Sequence, residues 1–253
     1  MRFPFERLLV VTAVIAVAAS SVFAGPPLVC WKVETGGAAS LPWVDRSNSY
    51  QGMDHDYRTS RLAADTLALL KAPTPVLERM ETLRRAALYA TGDAKAGEAL
   101  MTGLVERTHQ NPADALAWFD AGYFVEASRQ ARGKNEPEFW SRFLEATGIR
   151  SNAAGVLGTK TGYDAIAKAI ELSKDDPAME YAAALVTWYP LRAEHDGHLQ
   201  RAASGAAEGS LLAKNLLKNF GDHGRTLADS HDDLPRGEVP VQLLLQRIGI
   251  DGS

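Results

Sequence analysis

The chain has 253 residues, of which 46% are hydrophobic and 23% are charged. This composition is typical of a globular protein and excludes a collagen-like or largely disordered chain. The 27 lysines and arginines stand against 31 aspartates and glutamates, which gives a formal net charge of −4. Because nucleic acids are bound by clustered basic side chains, and basic runs here do not exceed pairs such as Arg84-Arg85, we expect no nucleic-acid partner.

The first 24 residues have the three parts of an export signal. Arg2 and Arg7 supply a positive region, residues 8–19 are apolar, and small residues end at Ala24, where a signal peptidase would cleave. The apolar stretch covers roughly 18 Å as a helix, which is less than the roughly 30 Å hydrocarbon core of a bilayer. We therefore predict that residues 1–24 are a signal peptide, and that an exported mature chain without a membrane span begins at Gly25.

Cys30 is the single cysteine, so no disulfide can form within the chain. Three roles are open: a lipid attachment site, an intermolecular or ligand-binding thiol, and a small buried apolar residue. A lipoprotein signal requires a small residue immediately before the cysteine, whereas Val29 occupies that place. This departure favours the buried residue.

Residues 25–56 are predicted to form an extended, loop-rich arm. They are rich in glycine, proline, serine and asparagine and show no helical periodicity. Aromatic residues are dense for such a segment and its border, at Trp31, Trp43, Tyr50 and Tyr57. The arm is therefore either a strap that docks its aromatic side chains onto the helices or part of a partner site.

Residues 57–253 are predicted to form an all-α domain. Leu62, Thr66 and Leu69 line one face of a first helix, and Val76 and Met80 begin the apolar face of a second. Further helices are predicted at residues 94–109, 112–132, 137–147, 163–173, 177–193 and 199–220. Four prolines suit the first position of a helix, and polar residues precede three of them as N-caps: Pro75, Pro112, Pro137 and Pro177, with Thr74, Asn111 and Asp176.

Short polar links, such as residues 91–93 and 110–111, predict antiparallel helical hairpins, arranged as a short α-solenoid or an irregular helical bundle. Two segments, residues 111–123 and residues 165–185, resemble the tetratricopeptide repeat. The matching residues are large aromatics with small or apolar residues at helical spacing: Trp118, Ala121, Gly122 and Val125, and Tyr181, Ala184, Leu185 and Trp188. The resemblance implies a curved scaffold that binds a protein or peptide, usually without catalysis.

The same resemblance gives Gly122 a structural role, because small residues let neighbouring helices approach closely. We expect Gly122→Leu to be far more disruptive than Gly209→Leu, since Gly209 is predicted to lie in a polar part of the last helix.

An enzyme with a histidine-containing site near residues 195–231 is the alternative function. Its best candidates are His195, His198, His223 and His231, and two histidines three residues apart can share a helix face. However, Gly197 separates the first pair, and no HExxH or cysteine-rich spacing supports a zinc site. We therefore interpret these histidines as exposed residues at helix ends and assign no catalytic, cofactor-binding or metal-ligating residue.

Other chemical motifs are incomplete. Residues 155–161 resemble a phosphate-binding loop but lack the glycine directly before Lys160, and neither Ser204 nor Ser210 lies in a Gly-x-Ser-x-Gly motif. The aromatic residues at helical spacing are interpreted as core: Trp118, Phe119, Tyr123, Phe124, Phe139, Trp140 and Phe143. The sequence thus predicts an exported helical scaffold without a cofactor.

Overall fold

Helices dominate the part of the chain that the structure describes. A computed structural model describes residues 28–29, 32–44, 52–132, 161–188 and 192–220. Within these ranges a short 3-10 helix, Thr59–Arg61, precedes eight α-helices: α1 (Leu62–Leu69), α2 (Val76–Gly92), α3 (Ala94–Gln110), α4 (Ala115–Arg132), α5 (Thr161–Ser173), α6 (Pro177–Thr187), α7 (Arg192–Gly205) and α8 (Leu211–Phe220). The all-α prediction is confirmed. None of the described helices is both long enough and apolar enough to cross a membrane.

The predicted helix starts are confirmed at one of the three described prolines. Asp176 caps α6, with its carboxylate accepting the amide of Ala178 at 2.8 Å, and Pro177 occupies the first turn. Pro75 is instead the N-cap of α2. The prediction at Pro112 was wrong, because α4 begins at Ala115 behind a capping Asp114.

The extents predicted for the last helices were also wrong. The segment 177–193 is interrupted after Thr187, and the segment 199–220 is divided between α7 and α8. Gly209 turns the chain with a φ of +68°, which a residue with a side chain rarely adopts. Gly209→Leu would therefore be strained, and the prediction that Gly209 lies within the last helix was wrong. The prediction that Gly122→Leu is the more disruptive of the two stays a prediction.

Helix α4 packs closely against α5, and this contact depends on glycine. A Cβ atom on Gly122 would lie 2.5 Å from the carbonyl oxygen of Gly162 and 2.9 Å from the Cβ of Ala165. On the same helix α4, the aromatic residues interpreted as core are buried, as predicted: Trp118, Phe119, Tyr123 and Phe124. The other three, Phe139, Trp140 and Phe143, lie outside the described residues.

Candidate functional site

Within the predicted arm, the described residues 28–29 and 32–44 lie against helices α2 and α8. The arm's apolar side chains Leu28, Val29, Val33 and Leu41 are all buried within the same hydrophobic core as the helices. We call the contact surface between these residues of the arm and the two helices the arm seam. The arm is thus part of the folded domain along its described length.

Helix α8 holds the arm through the side chain of Asn215. Its Oδ1 accepts the backbone amide of Glu34 at 2.9 Å, and its Nδ2 donates to the backbone carbonyl of Glu34 at 2.9 Å. The Nζ of Lys218 donates to the carbonyl of Lys32 at 3.1 Å and pairs with the Glu34 carboxylate at 2.9 Å. A carboxamide that binds both backbone groups of one residue recognises extended backbone whatever side chain it carries.

Helix α2 holds the arm through charged side chains. Glu81 Oε2 accepts the amide of Val33 at 3.0 Å, and Arg84 Nη1 donates to the carbonyl of Val29 at 2.9 Å. Glu81 and Arg84 are fully buried and form a two-pronged ion pair at 2.8 and 2.9 Å. Burial raises the pKa of Glu81, but the hydrogen bonds and charges of Arg84 and Arg85 outweigh it, so the pKa falls below its ordinary value.

Aromatic rings pack together at the end of the arm seam that contains Trp43. The guanidinium carbons of Arg84 and Arg85 lie 5.0 and 5.5 Å from the ring centroid of Trp43. Tyr57 packs on Tyr89 with ring centroids 4.6 Å apart, and the Tyr89 hydroxyl donates to the carbonyl of Pro42 at 2.6 Å. Trp43 and Tyr57 therefore dock as a strap. Trp31, Tyr50 and Cys30 lie outside the described residues.

His195 and His198 lie within α7 and are buried, so their interpretation as exposed residues at helix ends was wrong. His195 Nδ1 lies 2.8 Å from the carbonyl oxygen of Ala184, and its ring packs against Trp188 at 4.8 Å and Phe220 at 5.6 Å between centroids. These contacts make His195 a core residue where α6, α7 and α8 meet. His223 and His231 lie outside the described residues.

His198 joins three helices through a chain of hydrogen-bonded groups. Its Nδ1 lies 2.5 Å from Glu180 Oε2 on α6, and its Nε2 lies 2.8 Å from the hydroxyl of Tyr163 on α5. Arg201 Nε donates to the other oxygen of Glu180 at 2.6 Å. We call the three groups the Tyr163–His198–Glu180 chain.

The protons in this chain can be assigned from the charges around it. Burial raises the pKa of Glu180, but hydrogen bonds from His198 and Arg201 outweigh it and lower the pKa, so Glu180 is a carboxylate. Nδ1 of His198 therefore carries a proton and donates to Glu180. The Arg201 Nη2 atom also lies 2.8 Å from Nδ1, but a protonated ring nitrogen cannot accept a hydrogen bond.

The phenol of Tyr163 completes the assignment. Burial and the nearby charge of Glu194 raise the pKa of Tyr163 to about 12. The hydroxyl therefore keeps its proton, and in the neutral imidazole tautomer that carries its proton on Nδ1 the hydroxyl donates to Nε2 of His198. Sequence reasoning named His198 but missed Tyr163 and Glu180; the available signal was a lone carboxylate at Glu180 among the apolar residues of α6.

Among the described residues, no group of three histidine, cysteine, aspartate or glutamate side chains is placed to hold a metal ion. His195 and His198 have separate partners and do not converge on one point. The sequence matches no model of a known protein family, no curated protein and no solved structure. Function therefore has to be inferred from the arm seam and the Tyr163–His198–Glu180 chain.

Proposed function

We propose that this protein is a helical scaffold that binds an extended segment of a protein or peptide partner along the arm seam. The observation that carries the proposal is the contact of Asn215 with both backbone groups of Glu34. Glu81 and Arg84 add backbone contacts on neighbouring residues of the arm. Hydrogen bonds to backbone supply affinity for extended polypeptide, and buried apolar positions supply preference for sequence.

The arm itself occupies this surface, so a partner segment replaces it. The exchange is close to balanced in free energy, because a segment with apolar residues at the places of Val33 and Leu41 would form the same contacts. The tethered arm competes at an effective concentration on the order of millimolar. Intact protein therefore binds such segments weakly, and any change that loosens the arm strengthens binding.

The wider features of the chain agree with this role. Paired helices with tetratricopeptide-like residues at Trp118 and Tyr181 are typical of scaffolds that bind polypeptide. The predicted signal peptide, residues 1–24, supports a role for the scaffold outside the cytoplasm, as a periplasmic or secreted protein. N-terminal sequencing of the exported protein tests the second point, with Gly25 as the expected first residue and a retained leader as the contrary result.

A synthetic peptide with the sequence of residues 28–44, carrying a fluorophore, tests the binding site. Glu34→Pro removes the backbone amide that Asn215 accepts, whereas the control Glu34→Ala keeps that amide and loses the same carboxylate. Glu34→Pro removes one hydrogen bond between the arm and Asn215, which weakens the competing arm by about 1 to 1.5 kcal/mol. The peptide should therefore bind to Glu34→Pro about tenfold more tightly than to Glu34→Ala.

Fluorescence anisotropy measures the affinity, and circular dichroism confirms that both variants keep their helices. Adding Asn215→Ala to Glu34→Pro should weaken peptide binding again, because the peptide then loses the same contact. Absence of binding in every folded variant, or equal binding by Glu34→Pro and Glu34→Ala, would contradict the proposal.

A further inference from the structure

The Tyr163–His198–Glu180 chain has the arrangement of a base-activated nucleophile. Such sites place a hydroxyl within hydrogen-bond reach of an imidazole whose other nitrogen is oriented by a third group. Here the two distances are 2.8 Å from the hydroxyl to Nε2 and 2.5 Å from Nδ1 to the carboxylate. Glu180 and His198 are buried, whereas Tyr163 is partly exposed.

We propose that Tyr163 is a nucleophile for acyl transfer from carboxylic esters, with His198 as its general base and Glu180 as the group that orients the imidazole. This activity goes beyond the binding function proposed above and uses a different part of the molecule. It also gives a specific form to the enzymatic alternative that the sequence left open.

The acylation step follows from the positions of the protons. The phenol oxygen of Tyr163 attacks the ester carbonyl carbon while its proton moves to Nε2 of His198. The resulting imidazolium is stabilised by the Glu180 carboxylate. The bond between the carbonyl carbon and the leaving oxygen then breaks, and the departing alcohol takes the proton from Nε2.

Hydrolysis of the acyl-tyrosine repeats these steps with water. His198 takes a proton from the attacking water, the bond between the acyl group and the phenol oxygen breaks, and Tyr163 recovers a proton from Nε2. The products are a carboxylic acid and the original enzyme. No redox cofactor or metal ion is needed for this balance.

Tyr57 provides a matched control elsewhere in the same protein. It is also a partly exposed phenol hydrogen-bonded to a neighbouring group, but its partner is the carboxylate of Asp65, at 3.1 Å, with no imidazole between them. Burial and Asp65 raise the pKa of Tyr57 as well, so both phenols are protonated at neutral pH. Tyr163 differs from Tyr57 chiefly in being hydrogen-bonded to a histidine that can act as its base.

The experiment treats the mature protein with p-nitrophenyl acetate, stops the reaction with acid and maps acetyl groups by peptide mass spectrometry. Release of p-nitrophenolate is followed in parallel. Acetylation or turnover at Tyr163 should exceed acetylation of Tyr57 by about a hundredfold, which is typical of general-base assistance. His198→Gln, whose amide oxygen can still accept the Tyr163 hydroxyl, should remove this advantage, and Tyr163→Phe should abolish the associated p-nitrophenolate release.

Two results of the acetyl mapping would overturn the proposal: reaction at Tyr163 no faster than at Tyr57, or acetyl groups found on His198 or lysines with Tyr163 unmodified. An unchanged rate in folded His198→Gln protein would also overturn the proposal, because the Tyr163–His198–Glu180 chain would then have only a structural role. Glu180→Gln should slow the reaction by about tenfold or more as the imidazole loses its orienting group. If that variant loses its helical circular dichroism signal, His198→Gln and Tyr163→Phe still decide the question.

Discussion

The α4–α5 contact and the arm seam hold neighbouring segments together by opposite means. At the α4–α5 contact, Gly122 and Gly162 carry no side chains, and the backbones approach until a single added carbon would collide. At the arm seam, long side chains such as Glu81 and Asn215 reach across to backbone groups. The first contact depends on shape, and the second depends on individual polar bonds in a buried setting.

The largest effect is expected at the arm seam, from Glu81→Leu. This substitution leaves the guanidinium of Arg84 buried without its carboxylate and the amide of Val33 without its acceptor. Removal of one partner from a buried ion pair lowers the free energy of unfolding by about 3–5 kcal/mol. Urea unfolding measures the loss.

The control for Glu81→Leu is Arg61→Gln, which breaks the surface pair of Arg61 and Asp65 and leaves the bond from Tyr57 to Asp65 in place. Its cost should stay within about 1 kcal/mol. Equal losses in the two variants would mean that the buried pair contributes no more than an exposed one.

The α4–α5 contact should respond to a single methyl group. Gly122→Ala places a Cβ atom 2.5 Å from a backbone oxygen, so the two helices must separate. Overpacking of this kind costs about 1–3 kcal/mol. Gly92→Ala adds the same atom at the end of α2, where nothing lies within 4 Å, and should change stability by less than about 1 kcal/mol. Coincident thermal melts for the two variants would refute close α4–α5 packing.

The two regions should also differ in their response to pH. Beside the α4–α5 contact, Glu126 accepts the amide of Gly162 at 3.1 Å, and burial raises its pKa to about 7 despite the charge of Arg129. Because the pKa of Glu126 is raised, the folded protein favours the protonated side chain. Glu126 therefore contributes stability at low pH, and this contribution is lost as the pH rises through about 7. The lowered pKa of Glu81 has the opposite effect on stability. Glu81 stabilises the folded protein at neutral pH, and this stabilisation is lost as the pH falls into the acidic range.

Lowering the pH from 7.5 to 5 should therefore raise the free energy of unfolding by on the order of 2 kcal/mol through Glu126. Asp120 acts in the same direction, because burial raises its pKa to about 6 even beside Arg79 and Arg107. Glu126→Gln should remove the part of the rise that belongs to Glu126. Urea unfolding at both pH values tests this, and a rise of the same size in Glu126→Gln would contradict it.

The smallest effect is expected in the link between α5 and α6, which belongs to neither contact. Lys174 has a φ of +59°, which strains a residue with a side chain. Lys174→Gly should stabilise the protein by less than about 1 kcal/mol, because relief of strain exceeds the added freedom of the unfolded chain only slightly. Lys95→Gly, in the first turn of α3, should destabilise it by up to about 1 kcal/mol. The same sign for both, measured by thermal unfolding, would argue against the strained turn.

The helices could be predicted because their apolar residues repeat locally, as at Met80 and Leu83 of α2. The burial of charge on the same helix could not be predicted. Helical periodicity gives no partner for the charges of Glu81 and Arg84, which are buried and bond to arm residues more than forty positions earlier in the sequence.

The candidate catalytic groups illustrate the same limit. Tyr163 and Glu180 lie 35 and 18 positions from His198, so no spacing rule could bring the three together. Only the packing of α5, α6 and α7 unites them. Sequence spacing could place His195 and His198 near each other, but it could not show that they have separate partners.

The bond between Glu34 and Asn215 also sets an order of events during synthesis of the chain. These residues are 181 positions apart, so the ribosome makes the arm long before it makes the helix that holds it. Until α8 has emerged, the Glu34 backbone lacks its Asn215 partner, and closing so long a loop is slow. The contacts with Asn215 can therefore form only after nearly the whole described domain has been made, whereas the contacts of the arm with α2 can form as soon as that helix has emerged.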